Sequence, residues 1–315
     1  MEIFNTSEIR PAHAELFYSR GDTHDPRLGE STAHSGSTYA KAQAVILGCP
    51  QDEGVRRNGG RVGAALAPTE IRRHLYRLTT NGVESVRLFD LGDIVPQATL
   101  EQTHAVHQGV VQRLLEDGKR VITLGGGNDI AYADCAALAT VAPKFLAFNV
   151  DAHFDVRADA VCNSGTPYRQ LLEQHFLAPE LFCEVGYQPQ VNSRSYEQYL
   201  RGLGVALCSL SELLEAGIPQ TIELMLQNRE ECQAIFWGFD LDVVRASDAP
   251  GVSSPSPDGL TAREFCQIAE MAGEDPRTRL VEFTEVNPSH DLEARTSRLT
   301  AVAIHHYLRA LATTL

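Results

Sequence analysis

Residues 145–155 read Phe145-Leu146-Ala147-Phe148-Asn149-Val150-Asp151-Ala152-His153-Phe154-Asp155. The first six are mostly apolar and too few for a helix, the pattern of a strand buried on both faces of a parallel sheet. The run then breaks into an alternation of acid, imidazole and acid. In extended backbone, alternate side chains share one face, so Asp151, His153 and Asp155 can all point at one centre.

The same plan recurs outward from this stretch. Ala234–Phe239 runs into Asp240-Leu241-Asp242, and Val121–Leu124 into Gly125-Gly126-Gly127-Asn128-Asp129. Leu280–Phe283 runs into Thr284-Glu285-Val286-Asn287-Pro288, and further apolar runs stand at Ala44–Cys49, Phe182–Val185 and Val205–Cys208. Helical spacing lies between them. Ile71, Leu75 and Leu78 follow the helix start Pro68-Thr69-Glu70, and Leu299, Val302, Ala303, Tyr307 and Leu311 mark a C-terminal helix. Strands alternating with helices predict a single α/β domain over residues 41–315, three layers deep, with a mostly parallel central sheet. Residues 1–40, poor in periodicity and rich in turn formers, are expected to wrap its surface. Ligands of such sheets bind outside the carboxyl ends of the strands, where these polar residues fall.

Four carboxylates gathered at strand ends repel one another and require a counter-charge, which divalent cations supply. Oxygen-rich ligation with one imidazole suits manganese or a similar hard ion better than a thiolate-type zinc site. An Asp at a strand-to-helix junction also serves as a helix cap, but DxHxD and DxD together, each after an apolar strand, favour the metal reading. The turn Gly125–Gly127 matches no phosphate-binding glycine pattern and reads as a close backbone approach.

The whole chain narrows the partners. Its 315 residues carry 27 basic against 41 acidic side chains, a net charge of −14. That sign argues against nonspecific nucleic-acid or anionic-membrane binding. No apolar run is long enough for a membrane helix, and the polar N-terminus lacks a secretory apolar core. The seven scattered cysteines contain no CxxC pair, so a reducing, cytoplasmic setting is expected. His104, His107, His305 and His306 lack a neighbouring acid motif and are assigned surface or packing roles.

These motifs resemble the ureohydrolase (arginase/agmatinase) superfamily from Ala44 to the C-terminus. The resemblance is carried by Asp151–Asp155, by Asp240–Asp242 with Ala249-Pro250-Gly251-Val252 beyond, and by Glu285–Pro288. Within it, Asp25–Gly29, Asp52–Ala64, Ser164–Pro167 and Tyr187–Pro189 with Asn192 are similar to the formimidoylglutamases. The resemblance implies two manganese ions, with Asp151 and Asp240 bridging, His153 and Asp242 completing one ion, and Asp155 on the other. Asn128 falls where the superfamily's first metal motif has histidine, which implies a weaker ion there, since a neutral carbonyl oxygen is a poorer donor than imidazole. Tyr168 falls where arginase proper has its proton-shuttling histidine.

The implied reaction is N-formimidoyl-L-glutamate plus water giving L-glutamate and formamide. A water between two divalent ions loses its proton near neutral pH and attacks the formimidoyl carbon. Glu285 would hold the amidinium and Asp155 would carry the proton to the leaving nitrogen. The substrate tail is a small dianion, so Arg57 and Arg61, with Asn58 and Ser164, are expected to bind it, and Arg169 is a further candidate. Two other readings are open: a guanidino hydrolase of the same fold, whose cationic substrate these arginines would repel, and a non-catalytic relative with a decayed first metal site. A homo-oligomer is the superfamily's expectation. Two bound divalent ions would bring the formal charge from −14 to −10.

Overall fold

In a computed structural model, which describes residues 7–315, nine strands among the described residues form one sheet. They are β1 (Ile9–Arg10), β2 (Ala44–Gly48), β3 (Leu88–Ile94), β4 (Arg120–Leu124), β5 (Phe145–Val150), β6 (Phe182–Tyr187), β7 (Ala206–Ser209), β8 (Ala234–Asp240) and β9 (Thr278–Thr284). Their order is β1-β3-β2-β4-β9-β8-β5-β6-β7. Every pairing is parallel except the edge strand β1 on β3. Each apolar run predicts a strand that forms, within a few residues of its expected ends. The helices expected after Pro68 and near the C-terminus form at Ala67–Leu75 and Arg295–Leu311.

Alternation along the buried strands divides the core in two. Ile46, Ile122, Phe148 and Val281 face one cluster, covered by helices that include Ala262–Glu274 and Arg295–Leu311. Val45, Leu47, Val121, Ala147 and Leu280 face the other, under helices Leu100–Glu116 and Ile130–Val141. On the first face Phe148 stacks on Trp237 (ring centroids 4.0 Å apart), and Phe239 stacks on Phe283 (5.0 Å). Burying both faces is what gives these strands their unbroken apolar character.

Two strands carry no such signal. β3, Leu-Phe-Asp-Leu-Gly-Asp-Ile, contains two acids and a glycine, yet Asp90 and Asp93 are buried. Both are met by the fully buried guanidinium of Arg72, whose Nε and Nη2 reach Asp90 at 2.8 and 3.0 Å and whose Nη1 reaches Asp93. The charge that hides the strand from a hydrophobicity reading is neutralised from the neighbouring helix. β1 lies in the segment expected only to wrap the surface. That segment also buries Leu16 and Leu28 against the main core.

The register sets four loops side by side. Leu124 is level with Phe283, Phe239 with Phe283 and with Val150, and Asp240 with Thr284. The residues following β4, β9, β8 and β5 therefore leave the sheet at the same height, along its carboxyl edge. The chain reaches β5 from β4 by skipping two strand positions that β9 and β8 later fill, the kind of reversal at which α/β sheets place ligands.

Candidate metal centre and cleft

Both acidic loops are built by the same local device. Asp151 Oδ1 accepts the backbone N–H of His153 at 2.6 Å, and Asp240 Oδ1 accepts that of Asp242 at 2.9 Å. An Asp bonded to the amide two residues on turns the chain sharply and keeps residues i and i+2 together. Each loop thus folds its pair of ligating side chains toward the neighbouring loop.

The two loops meet. Potential ligand atoms of Asp151, Asp155 and Asp240 lie within 4.8 Å of one another, and so do those of Asp151, His153 and Asp242. Asp151 is common to both groups. His153 Nδ1 stands 3.0 Å from Asp242 Oδ2 and 3.5 Å from Asp151 Oδ1. Asp151, Asp240, Asp242 and Glu285 are all at most 3% exposed.

Such a cluster is unfavourable without a cation. Burial, followed by the charges of Asp242 and Asp155, pushes the Asp151 carboxyl well above the carboxylate range. Burial and its acidic neighbours do the same to Asp240 and Glu285, and burial raises Asp155 to about 6. Asp242 opposite holds His153 up to about 12. Asp242 Oδ1 and Glu285 Oε2 are buried without a hydrogen-bond partner among the described residues. Unpaired buried carboxylate oxygens and mutually raised carboxyls are what a bound divalent ion would relieve, so the residues present fit the metal. Asp155 and Glu285 also hold left-handed backbone, at φ 47° and 60°. Non-glycine residues adopt it at a cost that the surrounding structure must hold, as at many functional sites.

Asn128 joins the cluster through its nitrogen. Its Nδ2 donates to Asp155 Oδ2 at 2.7 Å and to Asp151 Oδ2 at 3.2 Å, while its Oδ1 accepts from Thr284 at 3.1 Å. Its backbone N–H donates to Glu285 Oε1 at 3.0 Å. To ligate an ion, the amide would have to exchange its oxygen and nitrogen, giving up the Thr284 bond.

The cluster floors a cleft of about 530 Å³ whose walls include Asn58, Ser164, Asn192, Tyr196 and Arg157. Asn58 and Ser164 thus both line the cleft, joined by a 3.0 Å hydrogen bond. The expected arginines lie elsewhere. Arg57 is held by Glu53 and Glu101 and donates to Cys162 O. Arg61 donates to the backbone of Val252 and Ser253, and Arg169 pairs with Glu173 while lying over Tyr199. None of the three lines the cleft. The cleft arginine is Arg157, exposed, its guanidinium forming no hydrogen bond or ion pair among the described residues. In the sequence it is marked only by its place in the loop after β5, two residues beyond Asp155.

Three other assignments take their places. Tyr168 is fully buried against Phe182 and does not line the cleft. His104 and His107, read as lacking an acid, each have one across the fold: Nε2 to Asp129 and Nε2 to Asp134, both 2.7 Å. His306 contacts Glu270 and His305 a backbone carbonyl.

The fold has known counterparts. Residues 42–309 match the model of the arginase family. A formimidoylglutamase of Rhodococcus jostii is 33% identical over 274 residues, covering 83% of each chain. The crystal structure of Trypanosoma cruzi formiminoglutamase with Mn2+ superposes with a TM-score of 0.85 at 32% identity, over 92% of this chain and 100% of that one. The formimidoylglutamase of Bacillus subtilis gives a TM-score of 0.88 at 27% identity, over 94% and 95% of the two chains.

Proposed function

This chain belongs to the arginase family, and we propose that within it the protein is a manganese-dependent hydrolase of N-formimidoyl-L-glutamate. The observation that carries the substrate choice is Arg157, an unpaired cation in the wall of a cleft floored by acids. A cationic tail such as that of agmatine would be repelled by it, and a carboxylate tail would be held.

Asp151, Asp155 and Asp240, with Asn128, would hold one ion, and Asp151, His153 and Asp242 the other. Divalent ions so held would lower the pKa of bound water toward neutrality, and that is the chemistry they would supply. The protein's own groups do the rest. Glu285 faces the cleft and carries a free carboxylate oxygen that can bind the amidinium and set the formimidoyl carbon. Arg157 holds the tail, with Asn58 and Ser164 as further donors. When water adds to the carbon, the C–N bond to glutamate can break only if the departing nitrogen gains a proton. Asp155, on the floor of the same cleft, delivers it. The products are L-glutamate and formamide.

All seven cysteines are free thiols, which supports action in the reducing cytoplasm, and no described helix is long and apolar enough to cross a membrane. Sedimentation would give the assembly, for which a homo-oligomer is expected. The decisive assay is formamide release from formimidoylglutamate with and without manganese, with arginine and agmatine alongside. Manganese-dependent turnover of formimidoylglutamate alone is expected. Faster turnover of agmatine, or none at saturating metal, would overturn the reading.

A further inference from the structure

The strand that leads into the first acidic loop carries a single polar side chain. Asn149 stands in β5 among Phe145, Leu146, Ala147, Phe148 and Val150, and it is fully buried. An amide in such a place is costly unless it is hydrogen-bonded. Residues i and i+2 of a strand share a face, so Asn149 lies directly beneath Asp151.

Register places Glu184 of β6 on one side of Asn149 and Gly238 of β8 on the other. Glycine offers no side chain, so the lateral partner is Glu184, itself fully buried. Asn149 Nδ2 donates to Glu184 Oε2 at 2.9 Å and to Asp151 Oδ2 at 3.3 Å, and the backbone oxygen of His153 lies 3.5 Å away. All three neighbours are carboxylate or carbonyl oxygens, so the amide meets them with its nitrogen and not its oxygen. Its Oδ1 has no hydrogen-bond partner among the described residues. The donor end of the side chain is the end in use, and it is turned toward the acidic loop.

Asp151 is common to both groups of potential metal ligands, so the directions of both its oxygens matter. Oδ1 accepts the His153 N–H within the loop at 2.6 Å. Oδ2 accepts from two side chains among the described residues, Asn128 at 3.2 Å and Asn149 at 3.3 Å. The two donors differ in what they are free to do. Asn128 can ligate an ion only by turning its amide, which withdraws its N–H from Oδ2. Asn149 is then the only side-chain donor left on that oxygen, and the shorter bond to Glu184 keeps it from turning.

We propose that Asn149 is a positioning residue for the metal centre: braced by Glu184 across the β5–β6 pair, it fixes the plane of the Asp151 carboxylate. It acts through Asp151 and is not itself a ligand. Groups that orient metal ligands by hydrogen bonds contribute roughly 10- to 100-fold to affinity or activity. The role rests on the metal reading proposed above. It is read from binding alone, so a failure to turn over formimidoylglutamate would strike the substrate assignment and not this one.

The test is manganese titration of the metal-free full chain by calorimetry, with low-temperature electron paramagnetic resonance of the loaded protein. Wild type should take two ions and give the signal of a spin-coupled pair. Asn149→Leu nearly keeps the side-chain volume and removes the amide. It should weaken manganese binding by roughly 10- to 100-fold and replace part of the coupled signal by that of isolated ions. A purely structural role would lower the urea midpoint and leave the coupling unmoved. Glu184→Gln keeps an acceptor for Asn149 and should bind manganese close to wild type, whereas Glu184→Leu frees the amide and should bind more weakly. Should Asn149→Leu fail to fold, the two Glu184 variants carry the test, and equal binding by both would overturn the proposal. Wild-type affinity with the coupled signal intact in Asn149→Leu would overturn the role of Asn149 alone. A wild type that binds no manganese would overturn the metal reading and this role together.

Discussion

Replacing Arg157 by Gln removes the cleft's unpaired cation while keeping a polar side chain of similar reach. A hydrogen bond to a charged group contributes about 1.5–3 kcal/mol. Arg157 is exposed on a cleft wall, so water competes and the lower part of that range applies. About 1.5–2 kcal/mol corresponds to a loss of roughly 10- to 30-fold in kcat/KM. The tail is distant from the reacting carbon and is held equally in ground and transition states, so the loss should fall on KM. Arg157→Lys keeps the charge but not the planar fork, and should recover part of it. Steady-state kinetics with formimidoylglutamate over a range of ionic strength is the assay. Wild-type KM should rise with salt, because an exposed ion pair is screened, and Arg157→Gln should lose that dependence. A variant with unchanged KM, or one that loses kcat alone, would refute the assignment of Arg157 to the substrate tail.

Further outcomes follow from the same geometry. Asp155→Asn should lower kcat by about 10²- to 10⁴-fold with little change in KM, as expected for a lost proton carrier; a KM effect alone would reject that role. Asn128→His should bind its ion more tightly, by roughly tenfold, read by manganese titration with metal analysis of the dialysed protein, and two equally tight sites in the wild type would contradict the premise. Arg72→Met should destabilise the fold by about 3–5 kcal/mol, because Asp90 and Asp93 are left buried without their cation. Urea unfolding checks this, and further replacement of both acids by apolar residues should restore most of the loss.

The strands that position the site were legible because burial on both faces leaves an apolar run that needs no partner to be recognised. The residues just beyond each run were legible for a related reason. Asp151, His153 and Asp155 are organised by hydrogen bonds within their own loop, as are Asp240 and Asp242. What stayed hidden depends on elements far apart in sequence. β3 is a strand because Arg72 neutralises its acids. His104 and His107 find Asp129 and Asp134 only when the helix before β4 packs on the residues after it. The partners of the arginines were hidden for the same reason. Local sequence shows that Arg57 and Arg61 are cationic, and nothing local shows that Glu101 and the Val252 carbonyl have already engaged them.

The strand order has a consequence for how the molecule comes into being. β8 and β9, which follow the other seven strands in sequence, occupy the middle of the sheet between β4 and β5. Until they arrive, the earlier strands have an open seam where two should lie, and unpaired strand edges are prone to wrong partners. Asp240, Asp242 and Glu285 arrive with those two strands. A nascent chain that has emerged only as far as β7 therefore holds Asp151, His153 and Asp155 without their counterparts. The seam and the acidic centre are thus closed by the same two strands, so the metal site cannot be complete before the sheet is.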